Sequence, residues 1–181
     1  MAEFIPTSVY LDGPETLRRR ELVWGVVRET PGPSASSHQI PLVDLTFLLQ
    51  QHVRARHLGR VLVSPVDVVL DEQKALILQP DILFVATDRL HIIRDRVWGA
   101  PDLVIEVLSP STRLYDRVQK LEWFRDYGVR ECWLVDPIAR EITVHVLAGA
   151  ASEVRVFTAT DTLRSRVLPD LQLRVADAFV I

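Results

Sequence analysis

The chain has 181 residues, of which 48% are hydrophobic and 25% are charged, and this balance excludes a disordered chain and is typical of one globular domain. No apolar run is long enough to cross a bilayer, and the N-terminus lacks the basic segment of a signal peptide. The single cysteine, Cys132, excludes an internal disulfide, so we expect a cytoplasmic protein. A net charge of −3 argues mildly against a sequence-independent DNA binder.

The first predicted elements flank a loop. Pro14–Arg20 is a short helix candidate, and Leu22–Arg28 is rich in Val and Trp and predicts a strand. The stretch TPGPSASS contains prolines that block helix and sheet, so it predicts a loop. The segment from Gln39 to His57 predicts a helix, in which roughly helical spacing is kept by Ile40, Val43, Phe47 and Leu48.

The central part of the chain predicts a mixed sheet. Three strands are expected in succession, then a helix that Gly128 ends, then another strand. Strands joined by short links pair antiparallel, whereas a helix between strands implies a parallel crossover. The fold class is therefore α/β (α+β), a mixed sheet flanked by helices. The predicted spans are Val61–Leu70, Leu76–Ala86, Leu103–Leu108, the helix Ser111–Tyr127, Glu131–Val135 and Ile142–Leu147, with further strands over 154–181.

Two motifs, PDILFV and PDLVIEV, each place an acid in or beside an apolar strand. Carboxylates such as Asp81 and Glu106 are rarely buried unless they are paired or bind metal. If Val85 faces Asp102 in an antiparallel pair, Asp81 faces Glu106 with Cβ atoms about 5 Å apart. Two such carboxylates repel one another unless a cation lies between them, and Mg²⁺ or Mn²⁺ suits oxygen ligands. The sequence therefore predicts a metal site.

Other charged residues are candidates for the same site. Lys120 lies on the following helix and could hold a water or neutralise developing charge, but it could also be a solvated helix residue. Asp102 shares the strand face of Glu106 and is either a metal ligand or a turn-forming aspartate. Arg113 and Arg117 are candidates for contact with nucleic acid.

Some residues suggest a chemical role, but a structural role explains them equally well. Ser109-Pro110-Ser111-Thr112 lacks a nucleophile elbow and suits a turn that caps the next helix. Trp123, Phe124 and Tyr127 could stack on bases, but at helical spacing aromatic residues usually belong to the core. Cys132 is expected to be a buried, inert thiol.

An ordered series of motifs resembles one known family. The run GAPDLVIEVLSPSTRLYDRVQKLEWFRDYGVRECWLVDP, from Gly99 to Pro137, is preceded by Ser37-His38, SPVDVVL and QPDILFV. Together they resemble the Uma-type restriction endonuclease family of the PD-(D/E)xK superfamily, over roughly residues 15 to 147. The resemblance implies a restriction-endonuclease-like core with the order αβββαβ. We expect a single domain over 1–181, with its core at about 38–147 and flanking elements at 14–28 and 154–181.

The resemblance also implies residue roles. Asp81 matches the PD aspartate and Glu106 the acid of the third core strand. The expected lysine two positions later is Leu108 here, so the role is carried over to Lys120. Two further positions match acidic and histidine positions of the family near its first helix: they are Glu21, otherwise a surface acid, and His38, otherwise a capping or packing residue.

Three functions follow as hypotheses. The leading one is a Mg²⁺- or Mn²⁺-dependent endonuclease acting on nucleic acid, with DNA expected, in which Asp81, Glu106 and Lys120 are catalytic. The second is an inactive nuclease-fold protein that binds nucleic acid or another protein, which the leucine at position 108 and the acidic pI favour. The third is a structural module, a homodimer formed through the N-terminal strand or the C-terminal tail.

Overall fold

The computed structural model describes residues 3–14, 18–30, 36–109, 115–148 and 153–180. The helices are α1 Thr7–Leu11, α2 Ser36–Ala55, and a π-helical turn Asp116–Lys120 that continues as α3 Leu121–Asp126. Short 3-10 helices cover Thr87–Ile92 and Val175–Phe179. The strands are β1 Arg19–Val23, β2 Val26–Thr30, β3 Gly59–Val63, β4 Val68–Asp71, β5 Leu76–Leu78, β6 Ile82–Ala86, β7 Val97–Trp98, β8 Leu103–Val107, β9 Glu131–Asp136, β10 Glu141–Val146, β11 Glu153–Phe157, β12 Thr162–Leu163 and β13 Leu173–Arg174.

A six-stranded mixed sheet forms the centre, with the strand order β11-β10-β9-β8-β6-β3. β3, β6 and β8 pair antiparallel in succession, whereas β9 lies parallel to β8 after the α3 crossover. This is the order αβββαβ, with α2 as the first helix. The predicted fold class is therefore confirmed.

A second sheet of five strands, ordered β2-β1-β5-β4-β7, packs beside the first. The chain leaves the central sheet after β3 and returns to it at β6. The predicted strands over 61–70 and 76–86 are therefore wrong as continuous strands, since each divides between the two sheets. A proline interrupts both, Pro65 in the first and Pro80 in the second. Proline cannot donate to a β-ladder, so a strand ends there readily.

The N-terminal prediction also needs correction. The helix expected over 14–20 is wrong at its end, because β1 begins at Arg19. The single strand expected over 22–28 is a hairpin, in which β1 and β2 pair antiparallel. Its turn residues, Trp24 and Gly25, have φ of 52° and 75°, as a two-residue hairpin turn requires. Because side chains alternate along a strand, Arg19 and Glu21 lie on the same face of β1.

Apolar side chains cover both faces of the central sheet. On one face Leu45 and Leu49 of α2 and the C-terminal segment pack against Ile105 and Trp133. On the other face Phe124 of α3 and strands of the second sheet pack against β6, β8 and β9. The expected burial of Phe124 and Cys132 is confirmed, and among the described helices none is long and apolar enough to span a membrane.

Helix α2 buries a different side from the one that its apolar spacing indicated. The buried positions are His38, Pro41, Leu45, Leu49 and Val53. Two residues that carried the spacing are on the surface, since Val43 is 61% and Phe47 66% exposed.

Two glycines with positive φ allow a matched test of the fold. Gly59 has φ 151° at the start of β3, where an added Cβ would overlap the carbonyl oxygen of Val85 on β6. Gly128 has φ 93° after α3, and a Cβ there meets no atom within 4 Å. We expect Gly128→Ala to cost about 1–2 kcal/mol through backbone strain alone, and Gly59→Ala to cost about 3 kcal/mol or more because overlap is added. Urea unfolding measures both, and equal losses would contradict the close approach of β3 and β6.

Candidate active site

The pairing of β6 with β8 brings Asp81 and Glu106 together. Ile82 pairs with Ile105, and the same antiparallel register, continued by one residue, sets Asp81 opposite Glu106. Both side chains are buried, at 3% and 1% exposure. The backbone N–H of Val107 donates to Asp81 Oδ2 at 2.7 Å. The register assumed in pairing Val85 with Asp102 is therefore the observed one.

One cationic side chain contacts both carboxylates. Arg19 Nη1 lies 3.0 Å from Asp81 Oδ1, and Arg19 Nη2 lies 3.1 Å from Glu106 Oε2. Nη2 also donates to the carbonyl oxygen of Gln79. The guanidinium thus occupies the place where the opposed carboxylates require positive charge.

Lys120 lies on the other side of Glu106. It is 1% exposed, and its Nζ lies 2.9 Å from Glu106 Oε1, 2.8 Å from Glu21 Oε1 and 3.4 Å from Asp116 Oδ1. The alternative of a solvated helix lysine is therefore wrong. Asp116 and Lys120 open and close the π-helical turn, a feature that is frequent at functional sites.

The structure also brings Glu21 and His38 to the pair. Glu21 is 3% exposed and accepts from the Gln79 backbone N–H at 3.1 Å and the Tyr115 hydroxyl at 3.2 Å, so the surface alternative is wrong. His38 Nε2 lies 3.4 Å from Asp81 Oδ2. Its buried Nδ1 has no hydrogen-bond partner among the described residues.

Negative charge exceeds positive charge in this cluster, which we call the junction cluster because it lies where the two sheets meet. Its four carboxylates face two permanent cations, so its formal charge is −2 when all four carboxylates are ionised and His38 is neutral. Burial raises the pKa of Glu106 to about 8, although Lys120 and Arg19 both lower it. The carboxylates are Glu21, Asp81, Glu106 and Asp116, and the cations are Arg19 and Lys120.

The other acids of the cluster behave differently. Burial acts to raise the pKa of Asp81, but His38, Arg19 and the Val107 N–H together hold that pKa below its ordinary value. Burial likewise opposes ionisation of Glu21, and the charges of Lys120 and Arg19 outweigh it, so the pKa of Glu21 is lowered. Glu106 is therefore the member whose ionisation the surroundings support least.

The donor set fits a hard divalent cation. Mg²⁺ in enzymes of phosphate chemistry is commonly held by one or two carboxylates, with water and substrate oxygens completing its shell. Asp81 and Glu106 supply such oxygens and already share one cationic group, Arg19. In the described residues no group of three His, Cys, Asp or Glu side chains could hold a metal, so the protein would supply only this pair.

Asp102 lies apart from the pair. Its carboxylate accepts from the Ala86 N–H at 2.8 Å, from Arg89 at 3.0 Å and from Arg130 at 3.4 Å. It precedes Glu106 by four positions, a distance of about 13 Å along an extended backbone. Asp102 thus anchors the start of β8, and its interpretation as a metal ligand is not supported.

The two candidates for nucleic-acid contact were Arg113 and Arg117. Arg113 lies outside the described residues, and Arg117 is partly exposed and lies 3.6 Å from Asp136. Sequence reasoning did not place Arg19, Gln79 or Tyr115 in the site. The alternation of Arg19 with Glu21 was the available signal, but it requires a strand where a helix was predicted.

Comparison with known proteins agrees with this arrangement of elements. The Uma2 family model, described as "Putative restriction endonuclease", matches residues 8–176. The chain belongs to the Uma2 family. A solved structure from Anabaena variabilis ATCC 29413, titled as a "putative nuclease belonging to DUF820", superimposes with a TM-score of 0.80 at 20% identity and covers 97% of each chain. None of the curated proteins compared matches this Uma2 chain.

The stability of the junction cluster can be tested through its buried lysine. Lys120→Met keeps a long side chain but leaves Glu106, Glu21 and Asp116 without that charge, so we expect a loss of about 3–5 kcal/mol. Arg117→Met on the same turn removes a partly exposed ion pair with Asp136, in which Arg117 Nη2 and Asp136 Oδ2 are 3.6 Å apart. This change should cost about 1 kcal/mol or less. Urea unfolding at neutral pH measures both, and a small loss for Lys120→Met would contradict the ionic role.

Proposed function

We propose that this Uma2 protein is a divalent-metal-dependent endonuclease that hydrolyses phosphodiester bonds, with DNA as its expected substrate. The observation that carries the proposal is the buried, opposed pair of Asp81 and Glu106 bridged by one cation. The family description supports nuclease chemistry. Mg²⁺ or Mn²⁺, held by this pair, would supply a Lewis acid for a phosphate oxygen and a more acidic bound water.

The chain's own residues suit the other tasks of hydrolysis. Lys120 holds a positive charge 2.9 Å from Glu106, where it can orient a water and offset charge that develops on phosphate. Glu21 and Asp116 fix the position of that ammonium group. His38 lies against Asp81 and orients its carboxylate. The position two after Glu106 is Leu108, so Lys120 would take over the role of the lysine expected there.

A cavity beside the cluster offers space for a substrate. It has a volume of about 390 Å³ and reaches Gln79, whose backbone contacts both Arg19 and Glu21. Its wall carries charges of both signs, from Arg18, Arg20 and Arg96 and from Asp67 and Asp95. Arg96 is paired with Asp67 at 3.1 Å.

Aromatic rings lead from the surface to the same cluster. Trp24 is 42% exposed and lies edge-on to Trp123, with 5.9 Å between the ring centroids. Trp123 contacts Tyr115 in the same way, and the Tyr115 hydroxyl reaches Glu21. Such rings can stack on unpaired bases, which favours nucleic acid over a small phosphodiester.

The test is cleavage of supercoiled DNA with Mg²⁺ or Mn²⁺. We expect wild-type protein to nick the DNA with either ion and to lose activity in EDTA. Glu106→Gln should reduce nicking roughly 100-fold or more, because it removes one of the two carboxylates that would hold the metal ion. Glu122→Gln, an exposed acid on α3, is the matched control and should keep full activity. Circular dichroism checks that both variants fold.

Two results would contradict this function. Activity that persists in EDTA would exclude metal dependence, and full activity in Glu106→Gln would remove that residue from the site. Absence of cleavage on both DNA and RNA, with binding retained in a gel-shift assay, would favour the inactive binding module. The homodimer and the cytoplasmic location stay predictions, which sedimentation and cell fractionation can test.

A further inference from the structure

Arg19 holds the place that the proposed metal ion needs. Its two terminal nitrogens contact Asp81 Oδ1 and Glu106 Oε2 at 3.0 and 3.1 Å, and the side chain is only 13% exposed. β1 is held on both sides, by β2 and by β5. The paired backbone of β1 therefore fixes the position from which the Arg19 side chain reaches the two carboxylates.

A guanidinium and a divalent ion cannot both keep these contacts. The ion would need the same two carboxylates, and two cations that share them would repel each other at short range in a buried site. A bidentate arginine is also a strong competitor, because each charge-assisted hydrogen bond to a buried carboxylate is well above average strength.

We propose that Arg19 is a built-in competitor of the metal ion, which displaces its guanidinium from Asp81 and Glu106. This inference rests on the proposed metal site. The displaced group has a second carboxylate in reach, since Arg19 Nη2 lies 4.0 Å from Glu21 Oε1. Arg19 therefore sets the affinity of the site and keeps a positive charge between the two carboxylates while no metal is bound.

Titration calorimetry with Mn²⁺ and no nucleic acid tests the competition without any assay of activity. Arg19→Gln should bind Mn²⁺ about tenfold or more tightly than wild type, the factor expected when one charge-assisted hydrogen bond no longer has to be broken. In EDTA the same variant should melt at a lower temperature than wild type, because the carboxylates lose their cation. Mn²⁺ should raise its melting temperature by more than it raises that of wild type.

Two control variants separate displacement from simple charge repulsion. Arg20→Gln removes the same charge at the next residue, whose side chain contacts Tyr10 and Glu29, and it should leave the affinity within about twofold of wild type. Arg19→Lys keeps the charge but cannot bridge two carboxylates with a planar fork. Its affinity should lie between those of wild type and Arg19→Gln, and it serves as the test if Arg19→Gln does not fold.

The outcomes distinguish the two proposals. Equal Mn²⁺ affinity in wild type, Arg19→Gln and Arg19→Lys would overturn the role of Arg19 and leave the metal site standing. Tighter binding in Arg20→Gln to the same degree as in Arg19→Gln would also overturn it, since long-range charge would then be the cause. Absence of Mn²⁺ binding in every variant would overturn the metal site itself, and this inference with it.

Discussion

The repulsion between two buried carboxylates is the constraint on which the arrangement of this protein depends. Asp81 and Glu106 face each other across β6 and β8, in a place with little water to screen them. Neither can stay ionised there without positive charge close by. The positive charge comes from Arg19 of the second sheet and Lys120 of the helix after β8, which lie on either side of Glu106.

Such a cluster is poorly explained as a device for stability. Removing charges from water costs free energy that ion pairing only partly returns, and apolar replacements of buried ion pairs are often equally stable. The junction cluster nevertheless contains four carboxylates and two permanent cations, with a formal charge of −2 when all four carboxylates are ionised and His38 is neutral. Perturbed ionisable groups gathered in this way are typical of functional sites. This excess of carboxylate agrees with the metal site proposed above.

The two-sheet architecture is what makes this gathering possible. The chain passes from β5 in one sheet to β6 in the other through Gln79, Pro80 and Asp81, so the acid sits at the seam between the layers. Gln79 links the two sheets at this point, since its backbone forms hydrogen bonds with Glu21 and Arg19 on β1. The neighbouring cavity reaches this junction at Gln79.

The sequence by itself determined the αβββαβ order, because strand and helix patterns are local. It gave the opposition of Asp81 and Glu106 only with an assumed register, since a shift of the pairing changes which residues face each other. It placed Glu21 and His38 only by resemblance, and it could not place Arg19. Arg19 belongs to a hairpin whose residues local propensity had suggested to be a helix and a strand. It reaches the acids through contacts between elements that are distant in the chain. Only the tertiary structure decided which side of α2 is buried and which cation bridges the carboxylates, since long-range packing and charge compensation override local preference.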